Sequence, residues 1–271
     1  MIKISGEKSM KRMLLILSFF VWAMETPAYA KIITQTAPYQ HQGIKHTGYL
    51  AYDDAFQGKR PGVLVVHEWW GLNEYARYRA EKLAGIGYVA FALDMYGEGK
   101  VTQNPKEASE WSKQITANAR QWQQRARAGL DVLMKDPRAD HNRIVAIGYC
   151  FGGSTVQQLA YSGAPVKAVV SFHGSLLLPE GSQAGQTMAK MLICHGAADP
   201  FIPLNAVQDY ISGMKESGLD WQLIIYSGAK HSFTNPGADR AGMEGVGYNK
   251  SADERSWRHM EQFFDELLGM N

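Results

Sequence analysis

The residues best suited to covalent chemistry lie between Arg143 and Ser154, where a β-branched run, Arg-Ile-Val-Ala-Ile, passes into Gly-Tyr-Cys-Phe-Gly-Gly-Ser. Glycines stand two residues before Cys150 and two and three residues after it. A sharp strand-to-helix turn needs this spacing, because a side chain at Gly148 or Gly152 would collide with the crossing strand and helix. Such a turn lifts its tip residue clear of the sheet. It also sets the sulfur of Cys150 at the N-terminus of a helix starting near Phe151, where unpaired backbone N–H groups and the helix dipole favour a thiolate. A single cysteine is most often a small buried apolar residue; the glycine spacing marks this one as a nucleophile.

A cysteine nucleophile needs a base, and the base needs an orienting group. Downstream, residues 189–200 read as an apolar strand opening into a loop that holds Asp199. Residues 221–226, Trp-Gln-Leu-Ile-Ile-Tyr, form a further strand, and the loop after it carries His231. Singly, an Asp before Pro is a turn residue and a loop His is solvated. In the order Cys, Asp, His, each after a strand, they match the nucleophile, acid and base of an α/β-hydrolase.

Four stretches extend this match: His67-Glu68-Trp69-Trp70-Gly71-Leu72-Asn73, Gly148-Tyr149-Cys150-Phe151-Gly152-Gly153, His195-Gly196-Ala197-Ala198-Asp199-Pro200 and Gly228-Ala229-Lys230-His231-Ser232-Phe233. Through them the chain resembles the dienelactone hydrolase family from about residue 45 to 269. The resemblance implies hydrolysis of carboxylic ester or lactone bonds with no cofactor or metal, and a cysteine in place of the usual serine. It also implies a role for Glu68, which would contact the resting thiol and keep it neutral. Substrate displaces that contact, the glutamate takes the proton, and the thiolate forms beside His231. On its own, Glu68 reads as a strand-end acid or half of an ion pair. The matching oxyanion donors are the backbone N–H groups of Trp69 and Phe151.

Substrate contacts are expected from Trp70, His173 and Asn235. In the family, arginines grip a substrate carboxylate, one of them four residues beyond the catalytic histidine. Asn235 holds that position here, and an amide lacks the charge and forked donation of a guanidinium. Of the arginines near the family's other position, Arg120 and Arg125 are the candidates. The expected substrate is therefore a small-molecule ester, lactone or thioester that is neutral or otherwise anchored. A different reading keeps the scaffold as a non-catalytic or redox-regulated ligand-binding protein.

These residues require elements that bring four loops to one place. Strands are expected at 47–52, 62–66, 88–93, 143–147, 166–172, 190–194 and 221–226, with helices at 73–84, 105–135, 151–161, 204–217 and 251–268. The alternation predicts an α/β-hydrolase fold, a mostly parallel central sheet covered by helices on both faces. Ligands bind such sheets beyond the carboxyl ends of the strands. Segments 174–188 and 232–250 fall outside the pattern, and the second, directly after His231, is expected to touch substrate.

Residues 1–30 read as a cleavable signal peptide: a basic start, an apolar run from Met13 to Met24, and Ala28-Tyr29-Ala30 before Lys31. Met10, followed by Lys11 and Arg12, is a second candidate start. Residues 31–271 are then one exported domain, periplasmic or secreted. The formal charge of +2 comes from the leader, and the remainder carries as many acidic as basic residues. That balance speaks against nucleic acid or a membrane surface as the main target. No apolar stretch is long enough for stable insertion once the leader is gone, and a monomer or homodimer is expected. Cys150 and Cys194 are the two cysteines. They are expected on neighbouring strands whose ends are offset too far for a disulfide, with Cys194 free and buried.

Overall fold

Apolar runs without polar alternation become inner strands, because helices cover both of their faces. In a computed structural model, which describes residues 31–269, eight strands form one sheet: β1 (Ile32–His41), β2 (Ile44–Asp53), β3 (Arg60–Val66), β4 (Val89–Leu93), β5 (Ala139–Tyr149), β6 (Ala168–Phe172), β7 (Lys190–Gly196) and β8 (Trp221–Tyr226). The order across the sheet is β1-β2-β4-β3-β5-β6-β7-β8. Only β1 with β2 and β2 with β4 pair antiparallel. The other neighbours are parallel, so β3, β5, β6, β7 and β8 all end at the same edge. The expected α/β-hydrolase architecture is the one observed. The signal-peptide reading falls on residues outside those described.

The helices are α1 (Glu74–Ala84), α2 (Pro105–Thr116), α3 (Ala119–Lys135), α4 (Phe151–Tyr161), α5 (Gln183–Gln186), α6 (Leu204–Ser217) and α7 (Lys250–Leu268). Alternate residues of a strand face opposite ways, which sorts the core into two layers. Leu64, Val66, Phe91 and Leu93 pack with Trp122 and Leu130 of α3 and Leu159 of α4. Val63, Val65, Ala90 and Ala92 pack with Ala80 and Leu83 of α1 and Phe264 of α7. Every residue of β3 and β4 is buried. Among the described residues, no helix is long and apolar enough to cross a membrane.

Three sequence expectations need correction. Strand β1 was not expected, since Ile-Ile-Thr-Gln-Thr-Ala-Pro-Tyr-Gln-His lacks a clear apolar face; as an edge strand it tolerates Pro38 and exposure. The long helix 105–135 is two helices, because Asn118 leaves helical geometry and its side chain accepts the N–H of Gln121, capping α3. Cys150 and Cys194 are not on neighbouring strands, as β6 lies between β5 and β7. Both are free, and burial pushes the Cys194 thiol up to about 12.

A buried ion pair ties the two helices of one layer. Arg79 of α1 is 1 % exposed, and its Nη2 lies 2.5 Å from Asp253 of α7 and 2.5 Å from the carbonyl of Thr234. The rings of Tyr75, Tyr149 and Trp257 surround the guanidinium. Arg79→Met should destabilise the protein by about 3–5 kcal/mol in urea unfolding, because Asp253 is left without its partner. Adding Asp253→Asn should recover part of the loss. An unchanged unfolding midpoint for Arg79→Met would contradict this role.

Candidate active site

Cys150 sits at φ 54°, ψ −117°, between β5 and α4. The turn around that strained backbone closes only because Gly148 and Gly152 carry no side chain. A Cβ on Gly148 would stand 2.0 Å from the carbonyl oxygen of Gly152, and one on Gly152 would stand 2.2 Å from that of Val66. The Cys150 N–H is shared between the Phe172 carbonyl, at 3.0 Å, and Nδ1 of His173, at 3.1 Å. His173 is itself at φ 43° and fully buried.

This placement corrects the expectation that His173 lines the substrate site. Its ring lies behind the turn, and its Nδ1 accepts, so Nε2 carries the proton towards Thr234 Oγ1 at 2.7 Å. Thr234 in turn meets Tyr75 Oη at 2.6 Å. Burial drives the His173 imidazole well below its usual range, with the charge of His231 adding to the effect. A neutral ring is what the acceptor role requires. No sequence signal distinguishes a histidine behind an elbow from one in front of it.

His231 and Asp199 meet as expected from their order. Nδ1 of His231 lies 2.7 Å from Oδ2 of Asp199, whose side chain is fully buried. The other oxygen, Oδ1, accepts the N–H of Phe201 at 2.9 Å. The backbone of His231 is held from both sides, its N–H by Gly245 and its carbonyl by the N–H of Gly247, each at 3.0 Å. The remaining nitrogen, Nε2, is left for Cys150. Burial alone would lower the His231 pKa, but the charge of Cys150 and the hydrogen bond to Asp199 outweigh it and hold the imidazole well above its usual range.

Glu68 lies just beyond β3 and is 2 % exposed. Its partners are on the loop that carries His231, rather than Cys150 itself. Oε1 accepts from Ser232 Oγ and Oε2 from Asn235 Nδ2, both at 2.7 Å. Asn235 also accepts the N–H of Gly237 at 2.8 Å, so both ends of its amide are engaged although it borders the cleft. Ser232 was not expected; its position beside His231 was the only available clue. Desolvation raises the Glu68 pKa against the opposing pull of Ser232 and Asn235. A raised carboxyl pKa contributes stability below the unfolded value and loses it as pH rises through the folded one. Glu68→Gln keeps both bonds if the Ser232 hydroxyl turns round to accept. The variant should therefore melt a few degrees higher than wild type at pH 8, the equivalent of about 1 kcal/mol, and the gap should close as pH falls towards 4.5. A gap that widens in acid would overturn this assignment.

The N–H groups of Trp69 and Phe151 have no hydrogen-bond partner among the described residues. Both residues flank the elbow. Cys150, His231, Trp69, Trp70 and Asn235 all border a cleft of about 1000 Å³. Its walls are mixed: Leu72, Phe201, Met243 and Val246 are apolar, Asn73, Thr102, Gln103 and Ser232 are polar, and Arg77 and Arg240 stand at an exposed rim. Residues 232–250 supply one side of it, as expected, whereas 174–188 contribute none of the lining. Arg120 does not line the cleft, and Arg125 donates to the carbonyls of Met95 and Tyr96 instead. Among the described residues, no group of three or more His, Cys, Asp or Glu is placed to hold a metal ion.

Comparison with known proteins places this geometry among relatives. A family model described as "Dienelactone hydrolase family" matches residues 47–268. "Protein usf" of Aquifex pyrophilus is 27 % identical over 241 residues, covering 86 % of this chain and 99 % of that protein. The solved structure "m3DLH" is 38 % identical with a TM-score of 0.84, covering 87 % of this chain and 98 % of its own. A dienelactone hydrolase-like promiscuous phosphotriesterase, P91, from metagenomic libraries is 37 % identical with a TM-score of 0.83 and the same coverage.

Proposed function

Because the chain belongs to the dienelactone hydrolase family, we propose that it hydrolyses carboxylic esters or lactones through Cys150 as nucleophile, His231 as base and then acid, and Asp199 as the group that orients His231. The observation that carries this reading is the line from Asp199 through His231 to the strained Cys150, open to one cleft. The thiolate attacks the substrate carbonyl, and the oxyanion is met by the N–H groups of Trp69 and Phe151. The intermediate collapses, His231 protonates the leaving alcohol, and an acyl-thioester remains on Cys150. Water, deprotonated by His231, then releases the acid and restores the thiol.

Glu68 modulates this cycle. With its oxygens on Ser232 and Asn235, it leaves Cys150 to His231, which corresponds to the activated state of the family's gating scheme. Asn235 serves to hold Glu68, so the cleft does not depend on an arginine at that position. Its mixed walls, apolar at Leu72, Phe201, Met243 and Val246, suit neutral aryl or alkyl esters, lactones or thioesters. Export of residues 31–271, with monomeric or homodimeric assembly and no cofactor, belongs to the same proposal.

The test is a panel of short aryl esters, lactones and thioesters offered to residues 31–271. An aryl phosphotriester is included because the similar P91 is a phosphotriesterase. Turnover of carboxylic esters ahead of the phosphotriester supports the reading. Ligand binding without turnover of any member would favour the non-catalytic alternative.

A further inference from the structure

We infer that His67, together with Tyr96, positions the oxyanion hole by fixing the peptide that carries the Trp69 N–H. This rests on the hydrolase reading above. In a trans peptide the carbonyl of one residue and the N–H of the next point in opposite directions. Holding the Glu68 carbonyl therefore aims the Trp69 N–H.

His67 is fully buried. Its Nε2 accepts the N–H of Met95 at 3.1 Å, which leaves the proton on Nδ1. Nδ1 lies 2.5 Å from the carbonyl oxygen of Glu68 and donates to it. The N–H of Gly71 reaches the same oxygen at 3.3 Å. The next two carbonyls are held as well. Tyr96 Oη donates to Trp69 O at 2.9 Å, and Thr102 N–H to Trp70 O at 3.0 Å. The Trp69 and Trp70 carbonyls thus bond the segment that follows β4 directly, the Glu68 carbonyl is tied to it through the His67 ring docked on Met95, and the Trp69 N–H points opposite to that Glu68 carbonyl.

That segment is stiff enough to serve as a template. The carboxylate of Asp94 accepts the N–H groups of Tyr96, Gly97 and Gly99 at 2.8–3.1 Å, and that of Thr47 at 3.2 Å. Arg125 secures the carbonyls of Met95 and Tyr96 from the other side. The rings of His67, Tyr96 and Phe151 also pack together, with centroids 5.1–6.1 Å apart. One cluster therefore touches both residues whose N–H groups form the hole. His67 acts through Trp69 and touches no reacting atom, so it is a positioning residue.

The deciding comparison is between ester turnover and alkylation of Cys150 by iodoacetamide. Alkylation displaces iodide from a saturated carbon and forms no oxyanion, so it reports the thiolate alone. His67→Phe keeps the ring packing and removes both hydrogen bonds. Its kcat on an aryl ester should fall about 10–100-fold, with KM and the alkylation rate within about threefold of wild type. His67→Asn, which restores a donor near the Nδ1 position, should recover part of the loss. Tyr96→Phe removes one hydroxyl and should lower kcat about 3–10-fold; it decides the matter if His67→Phe fails to fold. Unchanged kcat in a folded variant, or alkylation falling in step with kcat, would overturn the inference. Wild-type turnover that is lost in Cys150→Ala shows separately that the hydrolase reading stands.

Discussion

Replacing Cys150 by alanine should lower ester turnover by about 10⁴-fold or more, while the protein should keep its fold. The size follows from removing the only atom that forms the covalent bond; what remains is binding and the oxyanion donors. The fold is retained because the elbow is set by the glycines and by the shared Cys150 N–H, neither of which needs the sulfur. Near-UV circular dichroism and melting temperature check the fold, and initial rates on an aryl ester check the loss. Cys150→Ser separates two explanations. Its hydroxyl is far less acidic than a thiol, so it is a much poorer nucleophile beside His231. A serine variant within tenfold of wild type would contradict the thiolate chemistry, although not the position of the nucleophile.

Asp199→Asn should be nearly as damaging, about 10²–10⁴-fold in kcat, for a reason visible in its hydrogen bonds. Asp199 Oδ1 accepts the Phe201 N–H. An asparagine keeps its carbonyl there and turns its NH2 group to His231. Nδ1 of His231 must then accept, which moves the proton to Nε2, on the side of Cys150, where a base is needed. The same variant has a signature in stability. The His231 pKa is raised in the fold, so its contribution is present in full below the unfolded value near 6.5 and is lost as pH rises through the folded one. The stability gap between wild type and Asp199→Asn should be widest at about pH 5–6 and narrow in alkali. Chemical unfolding at pH 6 and pH 9 measures it, and a gap that grows with pH would contradict the ion-pair assignment.

Most of the placement of Cys150, Asp199 and His231 was legible because its signals are local. A β-branched strand, the glycines of the turn and the strand-to-loop positions of Asp199 and His231 each occupy a few consecutive residues, and the parallel sheet brings such loop ends to one edge. Strand β1 and the break at Asn118 were hidden for different reasons. An edge strand needs little apolar patterning, and a side-chain cap can restart a helix within a continuous periodic pattern. The direction in which a buried polar side chain points was not legible at all. His173 was expected in front of the elbow and lies behind it. Asn235, four residues beyond His231, was read as a substrate contact, yet its amide is taken by Glu68 and Gly237. Such partners are set by three-dimensional packing, with Glu68 and Asn235 brought together from opposite ends of the domain.

The most direct test of the central claim is intact and peptide mass spectrometry of the protein quenched in acid during turnover of a slow aryl ester. An adduct of the acyl mass on the peptide containing Cys150, formed and lost at the catalytic rate and missing from Cys150→Ala, is the expected result. Turnover with no acyl group on Cys150, or with the acyl group on another residue, would contradict it.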